Sequence, residues 1–187
     1  MDLIRQLCKN NAGAREICHT LLKRCANLNK LNEGKIIHAL LLNSRFSDDL
    51  VMQNTLLNMY AKCGDLVNAR KLFDEMSIRD VVTWTALITG YSQHDGPQAA
   101  LLLLPEMLRI GLKPNQFTLA SLLKAASGVG STDVLQGCDH LEEAQLIFDV
   151  MVSKNEVSWN SLIAGYARKG QGDKGFLFVL EHAEGEC

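Results

Sequence analysis

The chain repeats itself. Residues 50 to 80, moved along by 31 places, bring Leu56-Leu57 onto Leu87-Ile88, Tyr60 onto Tyr91, Ala69 onto Ala100 and Met76 onto Met107. An offset of 75 superposes Cys63 on Cys138, Leu66 on Leu141, Ala69 on Ala144, Phe73 on Phe148 and Met76 on Met151. The same offset continues through Trp84 and Trp159, Leu87 and Leu162, and Gly90-Tyr91 and Gly165-Tyr166. A third, of 101, places Leu21-Leu22-Lys23 on Leu122-Leu123-Lys124. A period of this length marks a unit too small to bury its own apolar face, so the unit must stack on its neighbours.

Within residues 50 to 80 the apolar positions fall into two stripes at helical spacing. Val51, Leu56, Leu57, Met59 and Tyr60 form the first, and Leu66, Ala69, Leu72, Phe73 and Met76 the second. Cys63-Gly64-Asp65 separates them, with Gly64 suited to a left-handed helix end and Asp65 to capping the next helix. The unit is therefore an αα-hairpin, and the expected fold is an all-α solenoid of stacked antiparallel helix-turn-helix repeats. The units are an N-terminal segment 1–14, hairpins 15–49, 50–80 and 81–115, a composite hairpin 116–155, and a partial last hairpin with a frayed tail over 156–187. Pro105 falls inside the second helix of the third hairpin, where it removes a backbone hydrogen bond and is expected to kink the helix.

Composition narrows the function. With 47% hydrophobic residues and three prolines, the chain has the apolar side chains for a core, which excludes disorder. A formal charge of −2 supplies no basic field, so a nucleic-acid partner must be held by placed residues, with modest affinity. The six cysteines include no CxxC pair and are expected as free thiols, mostly buried, in a reduced compartment. No apolar run approaches the roughly 18 residues a membrane helix needs, so a soluble protein is expected. The first fourteen residues, with Arg5 and Lys9 against Asp2 and with Leu3, Ile4 and Leu7 near helical spacing, admit two readings: an organelle transit peptide, or the tail of a preceding repeat helix.

Catalysis finds no support in the motifs. His19, His38, His94, His140 and His182 have no second ligand at metal-binding spacing, no GxSxG elbow is present, and no GxxxxGK phosphate loop occurs. Neither an enzyme activity nor a cofactor is expected.

These residues resemble the plant P-L-S class of pentatricopeptide-repeat proteins. LVMQNTLLNMYAKCGDLVNARKLFDEMSIRD (50–80) is similar to that family's short motif, VVTWTALITGYSQHDGPQAALLLLPEMLRIGLKPN (81–115) to its 35-residue motif, and 15–49, with LLKRCANLNKLNEGKIIHA, to its long motif. The tetratricopeptide repeat wants Trp-x2-Leu-Gly-x2-Tyr, whereas here Trp84 and Leu87 are followed by Ile88, with Gly90-Tyr91 adjacent. The resemblance implies a right-handed solenoid that binds single-stranded RNA in a mitochondrion or chloroplast, in RNA processing or editing. Against the family pattern about 28 residues are missing after Gly137. The composite hairpin would then join the first helix of a long motif (116–127) to the second helix of a short one (140–151), through a linker, 128–139, holding a remnant helical turn. The ending, with Gly175 and His182 where the third hairpin has Ala100 and Met107, reads as a fragment, splice form or truncated paralogue of a longer array. The deaminase-like terminus of complete members pairs His-x-Glu with Pro-Cys-x-x-Cys, and the cysteine motif does not occur in this sequence.

The resemblance also implies site residues. The fifth and last residues of a motif meet the base edge, which single-stranded RNA exposes, and second-position residues sandwich the base. The pairs are Asn54 with Asp80, which in the family favours uracil, and Thr85 with Asn115, which favours adenine. Val51, Val82 and Phe117 would sandwich the bases and Lys62 would meet a phosphate. The implied element is a 5′-UA-3′ step. Each has a plainer reading: Asn54 as an exposed helix-start residue, Asp80 and Asn115 as junction caps, Val51 and Val82 as core, and Lys62 as a solvated cation. Trp84 and Trp159 could stack on bases, but their place on the apolar stripe favours packing. Alternatives to RNA binding are a protein-interaction solenoid, whose stacked hairpins offer a concave surface to other proteins, and a truncated paralogue without function.

Overall fold

In the computed structural model, residues 12–42, 44–94, 96–126, 141–149, 151, 154 and 156–183 are described. They form ten helices, with no strand among the described residues: α1 (Ala12–Asn27), α2 (Leu31–Leu41), α3 (Leu50–Lys62), α4 (Leu66–Glu75), α5 (Val81–Gln93), α6 (Pro97–Arg109), α7 (Gln116–Ala126), α8 (Leu141–Asp149), α9 (Glu156–Arg168) and α10 (Gly172–Ala183). The two readings of the N-terminal segment fall on residues 1–11, and the turn expected in 128–139 on the linker; both lie outside the described residues. Residues 12–14 already belong to α1.

The turns between paired helices share one chemistry. Gly64 has φ +75°, and the Asp65 N–H reaches back to the Tyr60 carbonyl at 3.0 Å, a Schellman closure that satisfies the last carbonyls of α3. Asp65 then caps α4 by accepting from the Asn68 N–H at 3.2 Å, as the sequence implies. The same closure recurs from Lys30 to Cys25 at 2.8 Å and from Gln171 to Tyr166 at 2.9 Å, with Asn29 and Gly170 taking the left-handed position. Lys35 adds an ion pair with Asp65 at 2.8 Å.

The chain divides into two compact units, 1–90 and 91–187, the division falling within α5. In the first, α1 packs on α2 and α3, α2 on α3, and α3 on α4. Leu22, Leu56, Leu57, Leu87 and Ile88 are buried there, so the repeated Leu-Leu positions are core. Each fully buried side chain of this size contributes about 1.5–3 kcal/mol. Gly90 lets α5 close on α3, for a Cβ at that position would stand 2.7 Å from the Ala61 Cβ.

In the second unit α6 packs on α7, α7 on α8 and α9, α8 on α9, and α9 on α10. The helix α6 runs through Pro105, which is exposed. Phe148, Trp159, Tyr166 and Phe178 make an aromatic cluster in which Phe148 meets Trp159 edge-on at 4.6 Å and Phe178 at 5.4 Å. Gly175 fits this cluster, since a Cβ there would lie 2.9 Å from the Tyr166 Cβ. Among the described cysteines Cys18 and Cys25 are buried and Cys63 half-buried, each outside any disulfide. No helix among the described residues is long and apolar enough to cross a membrane.

Candidate nucleic-acid interface

At each described junction between hairpins, the last residue of one unit caps the first helix of the next. Asp49 accepts from the Met52 N–H at 3.0 Å, Asp80 from the Thr83 N–H at 2.9 Å, and Asn115 from the Thr118 N–H at 2.9 Å. Arg15 holds Asp49 with two hydrogen bonds, of 2.8 and 3.1 Å, and keeps its carboxyl below the usual carboxylate range.

Asp80 does more than cap. Asn54, on α3, donates from Nδ2 to Asp80 Oδ1 at 3.1 Å, so two residues 26 apart in sequence meet directly. Asn54 is 9% exposed, which corrects the plainer reading of it as an exposed helix-start residue: packing of α3 beneath the junction buries it. Thr83, fully buried, stands beside both, with its Oγ1 2.7 Å from Asn54 Oδ1 and 2.9 Å from Asp80 Oδ1. Burial would raise the Asp80 carboxyl, but the donors around it, the Thr83 N–H and the Asn54 amide among them, outweigh it and hold the group below its ordinary value. The junction thus keeps an ionised acceptor next to an amide donor.

The second pair is placed differently. Thr85 belongs to the first unit, where its hydroxyl donates to the Val81 carbonyl at 2.7 Å. Asn115 belongs to the second, where it also accepts from the Phe117 N–H at 2.9 Å and the Thr118 hydroxyl at 3.0 Å.

Val51, Val82 and Phe117 each follow a cap by two residues and are 50%, 56% and 66% exposed. The core reading of the two valines is therefore wrong: the capped first turn directs them to water while the third position, Met52 or Thr83, takes the buried place. Lys62 is exposed and donates to Asn27 Oδ1 at 3.2 Å. Trp84 is no stacking platform, being 3% exposed and edge-on to Phe73 at 4.8 Å. Trp159 is half-buried in the aromatic cluster.

Sequence reasoning missed Thr83 and Thr118. Their signal is the spacing Asp80-x-x-Thr83 and Asn115-x-x-Thr118, in which a hydroxyl at the third helical position answers the cap by accepting from its N–H, at 3.1 and 3.3 Å. Ser158 occupies the corresponding position before Trp159 and is also fully buried. Among the described residues no group of three or more His, Cys, Asp or Glu could hold a metal ion.

Comparison with known proteins places the fold and the repeats. Residues 79–127 match the PPR repeat family, and residues 54–81 and 157–181 match the PPR repeat. A mitochondrial pentatricopeptide repeat-containing protein of Arabidopsis thaliana is 47% identical over 186 residues, covering 86% of this chain and 29% of that protein. A chloroplastic one from the same plant is 38% identical over 174 residues, covering 79% of this chain and 22% of its own length. The chain thus spans less than a third of either relative. The fold is that of the maize pentatricopeptide repeat protein PPR10, whose crystal structure covers 88% of this chain with 24% of its own, at 23% identity and a TM-score of 0.66. PPR10 in complex with an 18-nt psaJ RNA element matches with a TM-score of 0.70 at 22% identity, covering 90% of this chain and 24% of that one. Repeat matches across more than half of the residues, and a relative 47% identical over 86% of the chain, make it a member of the pentatricopeptide-repeat family.

Proposed function

We propose that this chain binds single-stranded RNA and reads bases at the junctions between its hairpins. The observation that carries this is the contact of Asn54 with Asp80, which sets an amide donor and an ionised acceptor side by side. A donor and an acceptor in that order complement the O4 and N3–H of uracil. Val51 and Val82, exposed on the two flanking first turns, are apolar surfaces against which a flat base can lie. Thr85 and Asn115 are the second pair, with an adenine preference, Phe117 is its sandwiching residue, and Lys62 neutralises a phosphate.

The reading is one of binding, with no bond made or broken. PPR10 has been solved with an RNA element, and the relatives carry mitochondrial and chloroplastic names, which supports an organellar RNA as the partner. The order of long, short and ordinary units favours the P-L-S class, with α7 and α8 as the two halves of a composite hairpin. Titration of labelled single strands containing UA against scrambled strands tests the function: equal affinity for both removes the base reading, and no binding to either removes RNA binding. Because the net charge is −2, binding is expected to weaken with salt only as far as a few phosphate contacts require.

A further inference from the structure

Asn54 can present two different faces to a base. Its amide carries a carbonyl acceptor on one side and an NH2 donor on the other, and rotation about the last side-chain bond exchanges them. The base selected depends on which face is held. At this junction Asp80 is ionised and can only accept, so the group of Asn54 turned toward it, 3.1 Å away, is the NH2. The carbonyl Oδ1 then faces the Thr83 hydroxyl at 2.7 Å. That hydroxyl has one hydrogen and two carboxyl or amide oxygens within reach. Asp80 Oδ1 already receives the Thr83 N–H and the Asn54 amide, whereas Asn54 Oδ1 has no other donor among the described hydrogen bonds.

We infer that Thr83 is a specificity-determining positioning residue: its buried hydroxyl donates to Asn54 Oδ1 and, with Asp80, pins the amide so that its remaining N–H is what a base meets. One hydrogen bond leaves a planar amide free to swing, and two fix its plane. With the carbonyl occupied, the junction offers a donor from Asn54 beside an acceptor from Asp80, the complement of uracil. Cytosine, the same size, presents an N4 donor and an N3 acceptor instead and is refused. Thr83 lies outside the base-reading pair and, at 0% exposure, is placed to act through Asn54 and not on the RNA itself.

This inference rests on the base-reading function proposed above, and its test separates the two. Thr83→Val keeps the shape and the backbone bond from Thr83 to Asp80 but removes the hydroxyl, while Thr83→Ser restores it. The full chain is titrated by fluorescence anisotropy with two strands that differ only by U or C at one position before A. The wild type is expected to prefer U, Thr83→Val to lose about three- to tenfold of that ratio, the scale of one hydrogen bond, and Thr83→Ser to retain it. A merely structural role would lower the melting temperature and both affinities and leave the ratio unmoved. A U-over-C ratio in Thr83→Val equal to wild type overturns the inference. No preference in the wild type overturns base reading instead. The orientation is then read without RNA, from the side-chain NH2 signals of Asn54 in a 15N correlation spectrum, which are expected to shift and broaden in Thr83→Val and to recover in Thr83→Ser. Unchanged Asn54 signals in Thr83→Val also overturn the inference.

Discussion

Trp84 stands edge-on to Phe73 with ring centroids 4.8 Å apart, and its indole Nε1, fully buried, has no hydrogen-bond partner among the described residues. The ring contributes by area and shape, while its N–H is an uncompensated cost. Trp84→Phe is therefore expected to cost much less than Trp84→Ala, which opens a cavity worth about 3–5 kcal/mol. Urea unfolding of both variants checks this; equal losses would mean that the indole N–H has a partner.

Gly90 and Ala61 meet where α5 crosses α3. A Cβ on Gly90 would lie 2.7 Å from the Ala61 Cβ and 3.2 Å from its Cα, and backbone cannot give way as a flexible side chain can. Gly90→Ala is expected to destabilise by about 1–3 kcal/mol through overpacking. Combining it with Ala61→Gly is expected to recover part of that loss, and a double-mutant cycle with no coupling would refute the close approach.

These contacts differ in how far the sequence exposed them. The hairpins, the left-handed Gly64, the capping Asp65 and the buried Leu56-Leu57 and Leu87-Ile88 pairs were legible because each depends on neighbours within one period. Asn54 and Asp80 were joined only through the family resemblance, since nothing in residues 54 to 80 says that the chain returns to the same point. The spacing Asp80-x-x-Thr83 carries the capping half of the Thr83 role, but its contact with Asn54 was not legible. For that half the hydroxyl looks like any polar residue in a first helical turn, and its role comes from a partner 29 residues away on another helix. Gly175, which reads as erosion of the repeat, proves to be a fit to Tyr166.

Acid should unfold the protein in two separate windows. His38, bonded through Nδ1 to the Tyr60 hydroxyl at 2.8 Å, has its pKa lowered by burial, partly opposed by Glu75 and aided by Lys71. A depressed histidine favours the neutral folded form, so its contribution is present above about pH 6.5 and is lost as pH falls through the folded value. Asp49 and Asp80 are depressed too, the first by its hydrogen bond to Arg15 and the second against the pull of burial. Their contribution is present above about pH 4 and is lost below it. His38→Gln is expected to flatten melting temperature against pH in the upper window only, and Asp80→Asn, which still caps α5, in the lower only. A His38→Gln profile parallel to wild type between pH 7 and 5 would show that burial does not govern this imidazole.

Val82 separates binding from folding. It is 56% exposed on the first turn of α5, next to the buried Thr83, so truncating it removes little from the core. Val82→Ala is expected to change stability by no more than about 0.5 kcal/mol. If bases lie against it, the same change should weaken affinity for UA-containing strands while leaving the U-over-C ratio intact, because the proposed reading assigns the ratio to Asn54 and Asp80 and not to the apolar face. Asn54→Ala should do the reverse, reducing the ratio more than the affinity for a C-containing strand. Thermal melts and paired titrations on the two variants measure all four quantities. Losses of the ratio in Val82→Ala, or none in Asn54→Ala, would show that the division of labour between sandwiching and reading has been assigned to the wrong side chains.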